Sequence, residues 1–103
     1  MTDNKKYELL DSDTVTWDGR ILKRIRALVT IAAIGVQAGD LGGYIEAEKN
    51  LQVSGDAWVS GNARVSGDAR VSGDAWVYGN ARVSGDARVS GDARVSGDAR
   101  VSG

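Results

Sequence analysis

The 103-residue sequence has no cysteine, histidine, proline or phenylalanine. Without cysteine, no disulfide can staple the fold and thiol chemistry is excluded. Without histidine, the chain lacks the commonest general base, the commonest metal ligand and the side chain that titrates near neutral pH. The longest apolar stretch, Ala27 to Val36, is interrupted by Thr30 and is too short to cross a bilayer. Residues Met1 to Lys6 are polar and have no signal-peptide core, so a cytoplasmic location is expected. An excess of one charge is missing too. With 13 basic and 14 acidic residues the net charge is −1, so no global field favours nucleic acid or an anionic membrane. The length accommodates one domain with a small appendage.

What is present is a repeat. Val-Ser-Gly-Asp-Ala-Arg, with variations, starts at Val53, Val59, Val65, Val71, Val77, Val83, Val89 and Val95, and a fragment follows from Val101. A short fixed period is the signature of a solenoid. Trp58 and Trp76 replace the arginine, and Asn62 and Asn80 replace the aspartate, each pair 18 residues apart. The unit is therefore three hexapeptides, which suits a three-sided coil with one side and one corner per hexapeptide. Residues one coil apart then stack at the strand spacing of a sheet, about 4.8 Å. Val and the Ala two residues before it point inward, and the Arg or Trp between them points outward. Gly and Asp or Asn turn the corner. Such a small, polar composition also suits a disordered tract, but the regular spacing of Val and Ala would line an interior.

Before the repeats, Tyr7 to Leu10 reads as a short strand, Asp11-Ser12-Asp13 as a turn, and Thr14 to Trp17 as a second strand. Asp18-Gly19 between apolar runs signals a hairpin, so Arg20 to Val29 should return antiparallel. The same residues also place Ile21, Leu22, Ile25, Leu28 and Val29 on one face of a helix; the turn favours the strand. Arg20, Lys23, Arg24 and Arg26 form a basic cluster, read as a solvated face rather than a phosphate contact. Gly35 to Gln52 has the length of one coil. In register it puts Leu41 and Ala47 on the Val places, Ile45 and Leu51 on the Ala places, and Asn50 on the Asp place, with turns at Gly39-Asp40 and Gly42-Gly43. The expected division is a β-hairpin cap over 1–38 and a solenoid over 39–103, with an irregular first coil over 39–52 and regular repeats over 53–103.

Several phrases carry a family resemblance: Lys6-Tyr7-Glu8-Leu9, Gly19-Arg20-Ile21-Leu22, Arg24-Ile25-Arg26-Ala27-Leu28, Ala38-Gly39-Asp40-Leu41-Gly42-Gly43-Tyr44-Ile45-Glu46 and Asn50-Leu51, followed by hexapeptides with Ala57-Trp58-Val59. Together they resemble phage- and prophage-encoded β-solenoid proteins of the YdcK type. The resemblance implies an all-β fold, a left-handed parallel β-helix with a small N-terminal β cap. Some members of that family carry an acyltransferase label.

The outward rows hold the candidate functional residues. One face carries Trp58, Trp76 and Arg94, with Tyr78 beside the second tryptophan; two exposed stacked indoles would mark an oligomer interface, the alternative being rings that lie flat on the wall or are covered by the N-terminal cap. The others carry Arg64, Arg82 and Arg100, and Arg70 and Arg88. These arginines read first as half of a salt-bridge lattice with the corner aspartates, and second as an anion-binding ladder. No catalytic residue, metal ligand or cofactor is expected. Hexapeptide acyltransferases usually rely on a histidine base, and the repeat serines have no base beside them. The expected function is a structural, self-assembling module, with a phage-encoded binder of a host factor or small anion as the alternative. The expected partner is a second copy, as a side-by-side trimer or end to end through the open last coil, with a further protein partner conceivable but neither membrane nor nucleic acid.

Overall fold

A computed structural model describes residues 6–17, 19–31, 35–52 and 55–102. Strand β1 (Tyr7–Trp17) and strand β2 (Arg20–Ala27) form an antiparallel hairpin, paired from Tyr7↔Ala27 to Trp17↔Arg20. Gly19 has a φ of 72°, the left-handed conformation such a tight turn needs; its predicted partner Asp18 lies outside the described residues. The expected strand for the basic segment is therefore found. The expected turn at Asp11-Ser12-Asp13 is not. The pairing passes from Leu10↔Arg24 to Thr14↔Lys23, so these residues bulge out of one continuous strand.

The hairpin continues one wall of the solenoid. β2 pairs antiparallel with β3 (Leu41–Ile45), and β3 pairs parallel with β5 (Arg64–Val65). Below these run β8 (Arg82–Ser84) and β11 (Arg100–Ser102), which completes a six-stranded first side. The second side stacks Leu51, β6 (Arg70–Val71) and β9 (Arg88–Val89). The third stacks β4 (Trp58–Val59), β7 (Trp76–Val77) and β10 (Arg94–Val95). This is a three-sided parallel β-helix.

Alternation explains both the wall and the core. Ala57, Val59, Ala63, Val65, Ala69, Val71, Ala75, Val77, Ala81 and Val83 are all fully buried. Each buried valine contributes roughly 1.5–3 kcal/mol. Between coils, alternate backbone N–H groups donate to the coil that follows, for example Trp58 N to Ala75 O, Ser60 N to Val77 O and Asn62 N to Gly79 O. At six of the described corners an Ala N–H donates to the Ser carbonyl three residues earlier, as from Ala75 to Ser72. The intervening Gly73 has a φ of 66°, which an L side chain resists.

The first coil differs from its expected register. Ile45 pairs with Val65 and Leu51 with Val71, so both occupy Val places and the coil is offset by 20 residues instead of 18. The offset falls back to 18 by Trp58↔Trp76. Two extra residues are thus accommodated between Leu51 and Trp58, a stretch containing Val53 and Ser54, which lie outside the described residues. Gly42 and Gly43 are also not a turn. They lie within β3, where an added Cβ would stand 2.5 Å from the Val59 carbonyl oxygen and 2.6 Å from that of Ala63. Glycine is required there by close approach of two backbones, not by a bend.

Candidate functional site

On the third side the two tryptophans meet different environments despite being in register. Trp58 is fully buried, with the Tyr7 ring edge-on to it at 6.3 Å and 70°. Tyr7 is itself buried, and its hydroxyl donates to the Leu51 carbonyl. The N-terminal cap thus covers Trp58, and the expected exposed pair of indoles is not present. The reason is that Trp58 lies on the uppermost strand of its side, where a chain folding back must cover it. Trp76, one coil lower, is half-buried; its Nε1 donates to Ser60 Oγ at 3.0 Å, and the Tyr78 ring lies 4.2 Å away at 34°. Arg94 below it is exposed. The candidate interface is therefore reduced to Trp76, Tyr78 and Arg94.

Lys6 fixes the start of the cap from the inside. It is buried, and its Nζ donates to the Gln52 carbonyl at 3.0 Å. Burial pushes its pKa down from 10.5 to about 8, partly opposed by Asp56 and Asp74. The sequence shows Lys6 only as the end of a polar stretch; the folded cap shows its burial.

Asn50 is the other residue that sequence reasoning undervalued. It is fully buried; its Oδ1 accepts from the Glu46 and Ala47 amides, and its Nδ2 donates to the Gly67 and Ala69 carbonyls. All four bonding positions of the amide are used. Glu46 and Gln52 accept the Gly67 and Gly73 amides through their side chains. Because the first coil is out of step, the Asn50 side chain donates to Gly67 and Ala69 as the backbone amides of Asp68 and Arg70 donate to Gly85 and Ala87 one coil lower.

The basic cluster of the hairpin is neutralised in place. Arg20 pairs with Glu46, Lys23 with Asp11, Arg24 with Asp13 and Arg26 with Glu8, at 2.6–3.0 Å. The bulge of β1 is what brings Asp11 and Asp13 to their partners. Arg24 also lies 4.5 Å over the Tyr44 ring. The face expected to be solvated is thus an ion-paired one, with Arg24 its least exposed member.

The repeat arginines behave otherwise. Arg64, Arg82 and Arg100 stand in register on the first side, and Arg70 and Arg88 on the second. Arg64, Arg70, Arg88, Arg94 and Arg100 make no ion pair with any carboxylate among the described residues. The expected Arg–Asp lattice is thus not formed at these positions. The one repeat aspartate in an ion pair with a described residue, Asp68, takes Lys49 from the first coil at 2.8 Å, which holds its carboxyl below the usual range. A groove of about 450 Å³ runs along Arg64, Arg82 and Arg100 with Asn62, Asn80 and Asp98. A larger one, about 650 Å³, lies on the second side along Arg70 and Arg88. No three Asp or Glu residues among those described converge in a way that could hold a metal ion.

Comparison with known families follows this geometry. The model described as the YdcK beta solenoid repeat matches residues 63–79, 75–91, 81–96 and 87–103. The starts differ by multiples of six, so every match begins at the same place of the hexapeptide, an alanine. The chain is a β-solenoid repeat protein. No curated protein matches it. The matches run over residues 63–103 and leave the cap, the first coil and the first hexapeptides, with Trp58, unmatched. No described helix of the solenoid is long and apolar enough to cross a membrane.

Proposed function

We propose that the chain is a non-enzymatic structural module that self-associates side by side through the face carrying Trp76, Tyr78 and Arg94. The carrying observation is the contrast between two tryptophans in one register. Tyr7 seals Trp58, whereas Trp76 is only half-buried, lies 4.2 Å from the Tyr78 ring and stands beside an exposed Arg94. Aromatic and arginine side chains are enriched at protein interfaces.

The absence of histidine and of any base beside the repeat serines supports the non-enzymatic part of the reading. The resemblance of the cap phrases supports a phage or prophage setting. Multi-angle light scattering tests the assembly. A mass of at least twice 10.8 kDa is expected for the wild type, with Trp76→Ala/Tyr78→Ala monomeric and Asn80→Ala unchanged. A monomeric wild type at high concentration would sink the proposal, as would acetyl-CoA turnover by the purified chain for its non-enzymatic part.

A further inference from the structure

We infer that the groove on the second side, under residues 48–52, binds an oligophosphate. Arg70 and Arg88 line it from successive coils, in register and one strand spacing apart, and neither meets a described carboxylate. Like charges held this close repel each other. In the cap every arginine has an acidic partner in direct contact; here neither arginine forms an ion pair with a described carboxylate, the charge of Arg70 reaching Asp68 only from beyond contact, and the space is open. Lys49 adds a third cation to the lining, although Asp68 engages its ammonium, and Glu48 contributes the opposing carboxylate. Ser72 and Ser90 supply hydroxyl donors on the same wall. The volume, about 650 Å³, is that of a small-molecule site.

The chemistry selects the ligand class. A guanidinium presents a planar fork of N–H donors that matches the oxygens of a phosphate, with two parallel bonds per group. A single carboxylate satisfies one fork and leaves the other arginine as it was. An anion carrying several phosphoryl groups in a row reaches both along the helix axis, with oxygens to spare for the serines. The arginine row of the first side is the weaker candidate. Its groove is smaller, about 450 Å³, and contains Asp98. The inference does not depend on how copies of the chain associate.

Isothermal titration calorimetry of the full chain with sodium tripolyphosphate, and separately with ATP, tests it. One tripolyphosphate per chain is expected, weakening as salt rises from low to physiological strength. Arg70→Ala/Arg88→Ala should lose at least about tenfold in affinity. Arg70→Lys/Arg88→Lys, which keeps the charge but not the fork, should lose several-fold, and Arg64→Ala/Arg100→Ala should match the wild type. Equal binding of ATP assigns the phosphate tail of a nucleotide as a source, and exclusive binding of tripolyphosphate assigns an inorganic one. No heat with the wild type overturns the inference. So does an equal loss in the two alanine pairs, which would mean diffuse attraction. Circular dichroism checks each variant, and the lysine pair decides if the alanine pair does not fold.

Discussion

The cap with its first coil and the coils below it are built by opposite rules. Residues 6–52 hold the buried Lys6, the sealing Tyr7, the four-bonded Asn50, the arginine over Tyr44 and four hairpin ion pairs. From Gly55 onward the chain relies on a column of Val and Ala, backbone ladders and identical corners. The difference shows what a solenoid requires. Propagation is inexpensive in kinds of residue, since each coil needs only its neighbours. Starting the stack demands specific side chains, because nothing above the first coil can repeat it.

The sharpest test of this contrast is the tryptophan pair, which shares a place in the repeat and differs only in cover. Trp58→Ala should cost about 3–5 kcal/mol, and the half-buried Trp76→Ala about 1–2 kcal/mol. Chemical denaturation measures both, and equal costs would break the distinction. Next is the asparagine pair. Asn50→Ala strands two amides and two carbonyls inside the first coil and should cost about 2–4 kcal/mol. The exposed Asn80→Ala should change stability by less than about 0.5 kcal/mol.

A third test uses pH. The folded pKa of Lys6, about 8, lies below the ordinary 10.5, so above pH 8 the folded state releases this proton before the unfolded chain does. The unfolded chain then binds more protons, and stability should rise with pH by about 2–3 kcal/mol across that window. Below pH 8 both states are charged and the burial penalty is fully present. Subtracting the curve for Lys6→Met isolates this contribution; a flat difference between pH 8 and 10 would show that the lysine is not held as described. The smallest effect is expected at the bottom. Gly91→Ala meets nothing within 4 Å and incurs only the strain of a φ of 64°, about 1–2 kcal/mol. Gly73→Ala adds a Cβ 2.9 Å from the Gly91 amide nitrogen and should lower the melting temperature further.

The sequence displayed the regular part of this architecture openly. Trp58 and Trp76, 18 residues apart, announce the coil length, and the Val–Ala spacing announces the inward positions. The hairpin was legible from its turn residues. The first coil was not, because its two extra residues sit where Leu51 passes into the first hexapeptide, and counting backwards by sixes carries straight through them. Gly42 and Gly43 read as a bend because glycine has two uses, and only the approach of Val59 and Ala63 tells which applies. Trp58 read as exposed for a similar reason: outward from a coil means toward solvent only where no other segment lies. The Arg rows were identifiable, but not that Arg64, Arg70, Arg88, Arg94 and Arg100 form no ion pair with a described carboxylate, which depends on which way long side chains extend at the corners.

The contact of Tyr7 with Trp58 also bears on how the chain finds its own beginning. Hexapeptides this alike are nearly interchangeable, so a strand could slip beneath the cap and still present Val and Ala to the core. A slip of one hexapeptide would place Arg64 under the Tyr7 ring, and a slip of two would place Arg70 there. Either would bury a charge against an aromatic edge. A slip of three would restore a tryptophan, Trp76, but would expel a whole coil from the ladder. The single indole therefore works as a phase mark, letting an otherwise uniform message be read from one fixed point.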